Sequence, residues 1–190
     1  MLNKVKEFLA ELIEMVLISL FIILPIRFFL IQPFFVKGQS MEPNFQESDY
    51  LVVDEISFRL RNPERGEVVV LRSPQVKGQF FLKRIVGLPG ETVEIKNEQV
   101  IIYSVEHPEG AVLEEDYLDA KEITEGNLKL SLGDDQYFVL GDNRRFSYDS
   151  RRWGLLGRKD IVGRVWLRLW PLPQLSVFAA PLYESPVPTL

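Results

Sequence analysis

The sequence predicts a mainly β protein, with an N-terminal transmembrane helix followed by a β-rich, sandwich- or barrel-like domain. Three observations carry that expectation. One long apolar segment lies near the N-terminus, seven short apolar and β-branched runs follow it, and Gly, Pro and Asn punctuate the intervals between them. No long amphipathic helical pattern interrupts the runs, which favours packed sheets over a helix-covered parallel sheet.

The N-terminal segment comes first. From Met15 to Ile31 the chain reads MVLISLFIILPIRFFLI, with Arg27 as its only charge. Such a stretch lies at the short end of what crosses the hydrocarbon core, so a helix over about 13–31 is expected to span the membrane. Arg27 sits near the outer end, where its long stem reaches the interface, and a helix tolerates Pro25 within a bilayer. Lys4 and Lys6 precede the span and favour a cytoplasmic N-terminus, a bias weakened by Arg27 and Lys37 on the far side. A cleaved signal peptide and a buried core helix are the competing readings. Only Val36-Lys37-Gly38 approaches a small-x-small cleavage site, and bulky residues surround it. The division expected is an anchor over 1–32 and a globular domain over 33–190.

The strands are expected at Tyr50–Val53, Glu67–Leu71, Gln79–Val86, Thr92–Ile95, Val100–Tyr103, Gln136–Leu140 and Ile161–Leu169. Turn signals separate them at Asn62-Pro63, Arg65-Gly66, Lys77-Gly78, Pro89-Gly90, Lys96-Asn97, Gly133 and Gly141. The tail carries Pro171, Pro173, Pro181, Pro186 and Pro188 and predicts irregular chain.

Composition narrows the chemistry. With 46% apolar and 26% charged residues, 190 residues suffice for one packed domain plus an anchor. There is no cysteine, which excludes disulfides and thiolate zinc sites, and the one histidine, His107, excludes a histidine-rich metal site. No metal and no cofactor are expected. Residues 106–125 hold eight acidic side chains against Lys121, a local charge of −7 within a net −5, so the remainder carries about +2. The acidic stretch reads as a solvated loop, and the remainder is too weakly basic to predict a nucleic-acid partner.

Two segments complement each other chemically. Gly38-Gln39-Ser40-Met41-Glu42-Pro43 places a serine in a constrained turn, and Phe80-Phe81-Leu82-Lys83-Arg84-Ile85-Val86 places a lysine in an apolar run. A serine hydroxyl needs an adjacent base to act as a nucleophile, and a lysine is a base only when neutral. Its pKa must then fall by roughly two to three units, about 3–4 kcal/mol against the ammonium, a shift that desolvation supplies. Taken alone, Lys83 is more commonly an exposed strand-edge lysine, and Ser40 is as commonly a plain turn residue.

The motifs taken together resemble bacterial type I signal peptidases, membrane-anchored serine–lysine proteases that remove signal peptides from exported preproteins. The resemblance rests on Ser40-Met41-x-Pro43, Asp49-Tyr50-Leu51-Val52-Val53 and Arg65-Gly66-Glu67-Val68-Val69, then Lys83-Arg84-Ile85-Val86-Gly87-x-Pro89-Gly90-Glu91. Gly141-Asp142-Asn143-Arg144-x-x-Ser147-x-Asp149-Ser150-Arg151 and Trp153-Gly154 complete it, in family order behind the apolar segment. It implies Ser40 as nucleophile, Lys83 as general base and Ser147 as the hydroxyl that orients the lysine amine. It implies an Asp149–Arg151 ion pair and a structural carboxylate at Asp142. Phe34, Val36 and Leu82 are implied to line pockets for small residues at the −1 and −3 positions of an extended substrate. The backbone N–H of Ser40 is expected in the oxyanion hole, where Gly38 adds no side-chain donor. The implied partners are preprotein signal peptides and the lipid bilayer. The implied location is the plasma membrane, single-pass, with the catalytic domain on the extracytoplasmic side. A self-cleaving repressor-type protease would lack the anchor, an idle binding module would lose Ser40 or Lys83, and a eukaryotic-type enzyme would carry histidine in place of Lys83.

Overall fold

The computed structural model describes residues 2–25, 32–119 and 121–179, with side chains described for 6–21 of the N-terminal helix. That helix, α1 (Leu2–Pro25), begins well ahead of the predicted span. Its described side chains, residues 6–21, are all exposed, and they include Phe8, Leu12, Met15, Leu17, Leu20 and Phe21. Among the described residues no helix is long and apolar enough to cross a membrane. The outer part of the predicted span, 26–31 with Arg27, lies outside the described residues, as do Pro181, Pro186 and Pro188.

The rest is β structure in two antiparallel sheets. The large sheet contains β1 (Gln32–Phe35), β2 (Tyr50–Asp54), β3 (Val68–Arg72), β4 (Phe80–Gly87), β9 (Gln136–Leu140), β10 (Leu156–Gly157), β11 (Ile161–Trp170) and β12 (Ser176–Val177). Its order is β1-β2-β11-β3-β4-β9-β10, with β12 on β11. The small sheet runs β7-β6-β5-β8, from β5 (Thr92–Lys96), β6 (Gln99–Tyr103), β7 (Ala111–Val112) and β8 (Leu128–Ser131). All seven predicted strands are present to within two residues at each end. The sequence reading misses β1, β7, β8, β10 and β12, which have at most four residues each and leave little room for a period-2 signal. Two one-turn helices, α2 (Ser57–Leu60) and α3 (Ser150–Trp153), were likewise not expected.

Burial explains the layering. β5 and β6 alternate, burying Val93, Ile95, Val100 and Ile102 and turning Glu94 and Lys96 outward. These side chains meet Val86, Phe138 and Leu140 of the large sheet in one apolar cluster. By contrast β3, β4 and β9 are covered on both faces over most of their length, which is why they read as near-continuous apolar runs. A second cluster, Val36, Met41, Phe45, Leu51, Val68 and Val165, lies beneath the loop between β1 and β2.

Candidate active site

The β1–β2 loop carries Ser40. Its neck is closed by Val36 N–H donating to Asp49 O at 3.0 Å and Ser48 N–H donating to Val36 O at 3.0 Å. Met41 and Phe45 anchor the tip in the core, linked by Phe45 N–H to Met41 O at 2.9 Å. Gly38 has φ +80, a conformation a side chain would disfavour, and the chain there reverses toward the serine.

Lys83 lies on β4, paired in register with Val69 of β3. Although it is a lysine, it is only 3% exposed. Its Nζ lies 2.8 Å from Ser40 Oγ and donates to Leu82 O at 2.8 Å. Burial lowers its pKa to about 8. Asp149 and Asp142 oppose the shift and Arg151 assists it. An amine in that range is neutral in about one molecule in ten at pH 7.

The β9–α3 loop supplies the support. Asp149 pairs with Arg151 through two contacts of 2.9 Å, accepts from Gly141 N–H at 3.1 Å and caps α3. Burial alone would raise its pKa, but the Arg151 guanidinium, together with the Ser147 hydroxyl and the Gly141 N–H, outweighs that and holds the carboxyl below the usual range. Asp142 takes a two-pronged pair from Arg84, Nε to Oδ1 at 2.8 Å and Nη2 to Oδ2 at 2.6 Å, and also accepts from Asn44 at 2.9 Å. Asn143 N–H donates to Ser40 O at 3.1 Å, tying this loop to the serine loop. The Ser147 hydroxyl is buried and helps keep Asp149 ionised, and among the described residues it meets full hydrogen-bond geometry with no group, Lys83 included.

Phe34, Val36 and Leu82 all line one cavity of about 150 Å³ that ends at Ser40 and Lys83. Phe80 joins them, its ring 5.7 Å from that of Phe34 and nearly perpendicular to it. Two unpaired strand edges flank this groove. β1 pairs only with β2, and β4 pairs with β9 only from Arg84 onward, so Phe80–Lys83 present a free edge among the described residues.

Sequence reasoning did not single out Arg84 as the partner of Asp142, nor Asn44, nor Gly141. A Cβ at Gly141 would strike Ser147 Oγ and Ser40 O, so the glycine lets the two loops touch. The Gly-Asp-Asn run marked a turn, but the close approach it permits is not written in local sequence. His107 sits in the turn after β6, its N–H bonded to Ser104 O at 3.2 Å. Among the described residues no three His, Asp or Glu side chains are grouped to hold a metal ion.

The sequence profile described as "Signal peptidase, peptidase S26" matches residues 9–170. Similar proteins include a probable signal peptidase I-2 of Synechocystis sp., 38% identical over 173 residues that cover 88% of this chain and 76% of the relative. Signal peptidase I P of Bacillus subtilis subsp. natto is 35% identical over 181 residues, covering 90% and 94%. A crystal structure of a signal peptidase I from Enterococcus faecalis is 32% identical, with a TM-score of 0.45 over 55% of this chain and 97% of that one.

Proposed function

The chain belongs to the S26 family of signal peptidases, a family of serine peptidases, and from that premise we propose that it removes signal peptides from preproteins by a Ser40–Lys83 dyad. The observation that carries this reading is the 2.8 Å approach of a buried lysine amine to a serine hydroxyl at the end of a groove. Neutral Lys83 takes the Ser40 proton as Oγ attacks the scissile carbonyl carbon, forming a tetrahedral intermediate. The Ser40 N–H, which has no backbone acceptor among the described residues, is left to receive the oxyanion. Collapse breaks the C–N bond, the lysine ammonium protonates the departing amine, and the signal peptide remains esterified to Ser40. Water, deprotonated in turn by Lys83, attacks the ester and releases the signal peptide as a carboxylate. A neutral amine has one lone pair and two N–H groups. With the lone pair on Ser40 and one N–H on Leu82 O, the second is left for the Ser147 hydroxyl, which accepts no hydrogen bond among the described residues. Asp142, Asp149 and Arg151 hold the loop that presents Ser147.

The substrate enters as an extended strand that adds to the free edges of β1 and β4. A cavity of about 150 Å³ bounded by Phe34, Val36 and Leu82 favours small side chains at −1 and −3. Residues 1–32 serve as a single-pass anchor in the plasma membrane and 33–190 as the extracytoplasmic catalytic domain. A helix with apolar side chains exposed all round favours lipid as its surroundings. Phe35 and Trp170, both paired with Tyr50, form with Leu172 and Leu175 an exposed apolar border that suits a bilayer surface. In liposomes, wild-type protein is expected to cleave a preprotein with Ala at −1 and Ser40→Ala is not. Cleavage by Ser40→Ala, or equal rates for Ala and Leu at −1, overturns the assignment.

A further inference from the structure

The acidic stretch that sequence reads as solvated loop is fastened to the site. Glu115 Oε1 and Oε2 accept from Arg144 Nη2 at 2.6 Å and Nη1 at 2.9 Å, and the Arg144 side chain is 1% exposed. Thr124, farther along the same stretch, also accepts from Arg144. The Tyr117 ring lies 4.0 Å from the Arg84 guanidinium, and Tyr117 O accepts from Asn44 Nδ2 at 2.8 Å. These three partners are not scattered. Asn44 is on the loop of Ser40, Arg84 follows Lys83 on β4, and Arg144 is on the loop of Ser147. One strap therefore holds one residue from each of the three segments that bring the reacting side chains together. Two of the three, Asn44 and Arg84, also converge on Asp142. A surface loop kept only for solubility would leave its carboxylates in water, whereas here a carboxylate pairs with a buried guanidinium.

We propose that Glu115 and Tyr117 are positioning residues, and that they, with Thr124, clamp the Ser40 loop, β4 and the Ser147 loop in mutual register. The proposal rests on the peptidase reading above. Loosening the clamp admits water to Lys83, which faces Asp142, Asp149 and Arg151, and desolvation is the main cause of its low pKa.

The test uses the full chain in detergent with a preprotein substrate and compares wild type, Glu115→Gln and Tyr117→Leu. Tyr117→Leu keeps the main-chain acceptor for Asn44 and removes the ring beside Arg84 together with the hydroxyl that donates to Glu115 and accepts from Arg144. Per folded molecule, kcat is expected to fall about tenfold to a hundredfold in each variant, with KM within about twofold. The alkaline inflection of the rate is expected to move up from about pH 8. Unchanged kcat and inflection in both variants overturn the proposal. So does a loss that only follows the folded fraction, with the inflection unmoved. Should Glu115→Gln not fold, Tyr117→Leu decides alone, read below its melting temperature. Wild type that fails to cleave refutes the peptidase reading itself, whereas active wild type with unaffected variants refutes only the clamp.

Discussion

The two sheets share one apolar cluster but fill their buried faces differently. The small sheet buries Val93, Ile95, Val100 and Ile102 and keeps its charges outside, where Lys129 meets Glu94 at 3.3 Å. The large sheet buries Lys83 and Arg84 within β4, and Asp142, Arg144 and Asp149 just beyond β9. A buried apolar face stabilises by its area alone, whereas a buried charge stabilises only when its partners are in place. Arg84 with Asp142 and Arg151 with Asp149 meet that condition. Lys83 does not, since its hydrogen bonds go to a hydroxyl and a carbonyl and, among the described residues, no carboxylate pairs with it. The active side of the molecule is therefore predicted to carry a local instability that the small sheet lacks.

Lys83→Met breaks the contrast most sharply. Activity should fall to background while the protein becomes more stable. The folded pKa of about 8 lies below the unfolded 10.5, so between those values the unfolded chain binds more protons. Stability of the wild type accordingly rises as pH climbs through that window, and roughly 3 kcal/mol is missing below it. Melting at pH 7 should place Lys83→Met above wild type, with the gap narrowing toward pH 10; a lower melt at pH 7 contradicts the idea.

Gly141→Ala comes next. Its Cβ would collide with Ser147 Oγ and Ser40 O, so the two loops must part. Steady-state kinetics should show kcat down by about a hundredfold, because a displacement of about 1 Å at the reacting atoms has that effect. Overpacking should also cost about 1–3 kcal/mol of stability.

Ile95→Ala sharpens the comparison from the other side. Ile95 is fully buried, in the small-sheet cluster. Denaturant unfolding should reveal a loss of about 2–5 kcal/mol. Per folded molecule, kcat and the alkaline inflection should stay as in wild type; a shifted inflection would mean that the two regions are coupled through the core.

Much of this was legible in sequence, for local reasons. Strands such as Thr92–Lys96 announce themselves by alternation, whereas Ser40 and Lys83, in a constrained turn and an apolar run, stand out only through the family motifs around them. Pairings across long separations were not legible. Glu115 and Arg144 are 29 positions apart, Asn44 and Asp142 are 98 apart, and nothing near either residue names its partner. The acidic stretch misled because charge density is a local statistic, whereas burial of one carboxylate among eight is decided by what folds over it. The end of α1 and the start of β1 were blurred for a related reason. Residues 15–36 are apolar or proline except for Ser19, Arg27 and Gln32, so composition alone does not separate an anchor from the strand that follows it.

The free edges beside the groove carry one further consequence. An open main-chain edge does not discriminate, and a second copy of the same protein is always the nearest candidate to fill it. β1 has only four residues, and one of them, Pro33, has no N–H to donate. Self-association through that edge is thereby starved of ladder bonds, and the protein can keep its groove open without gluing itself to its neighbours.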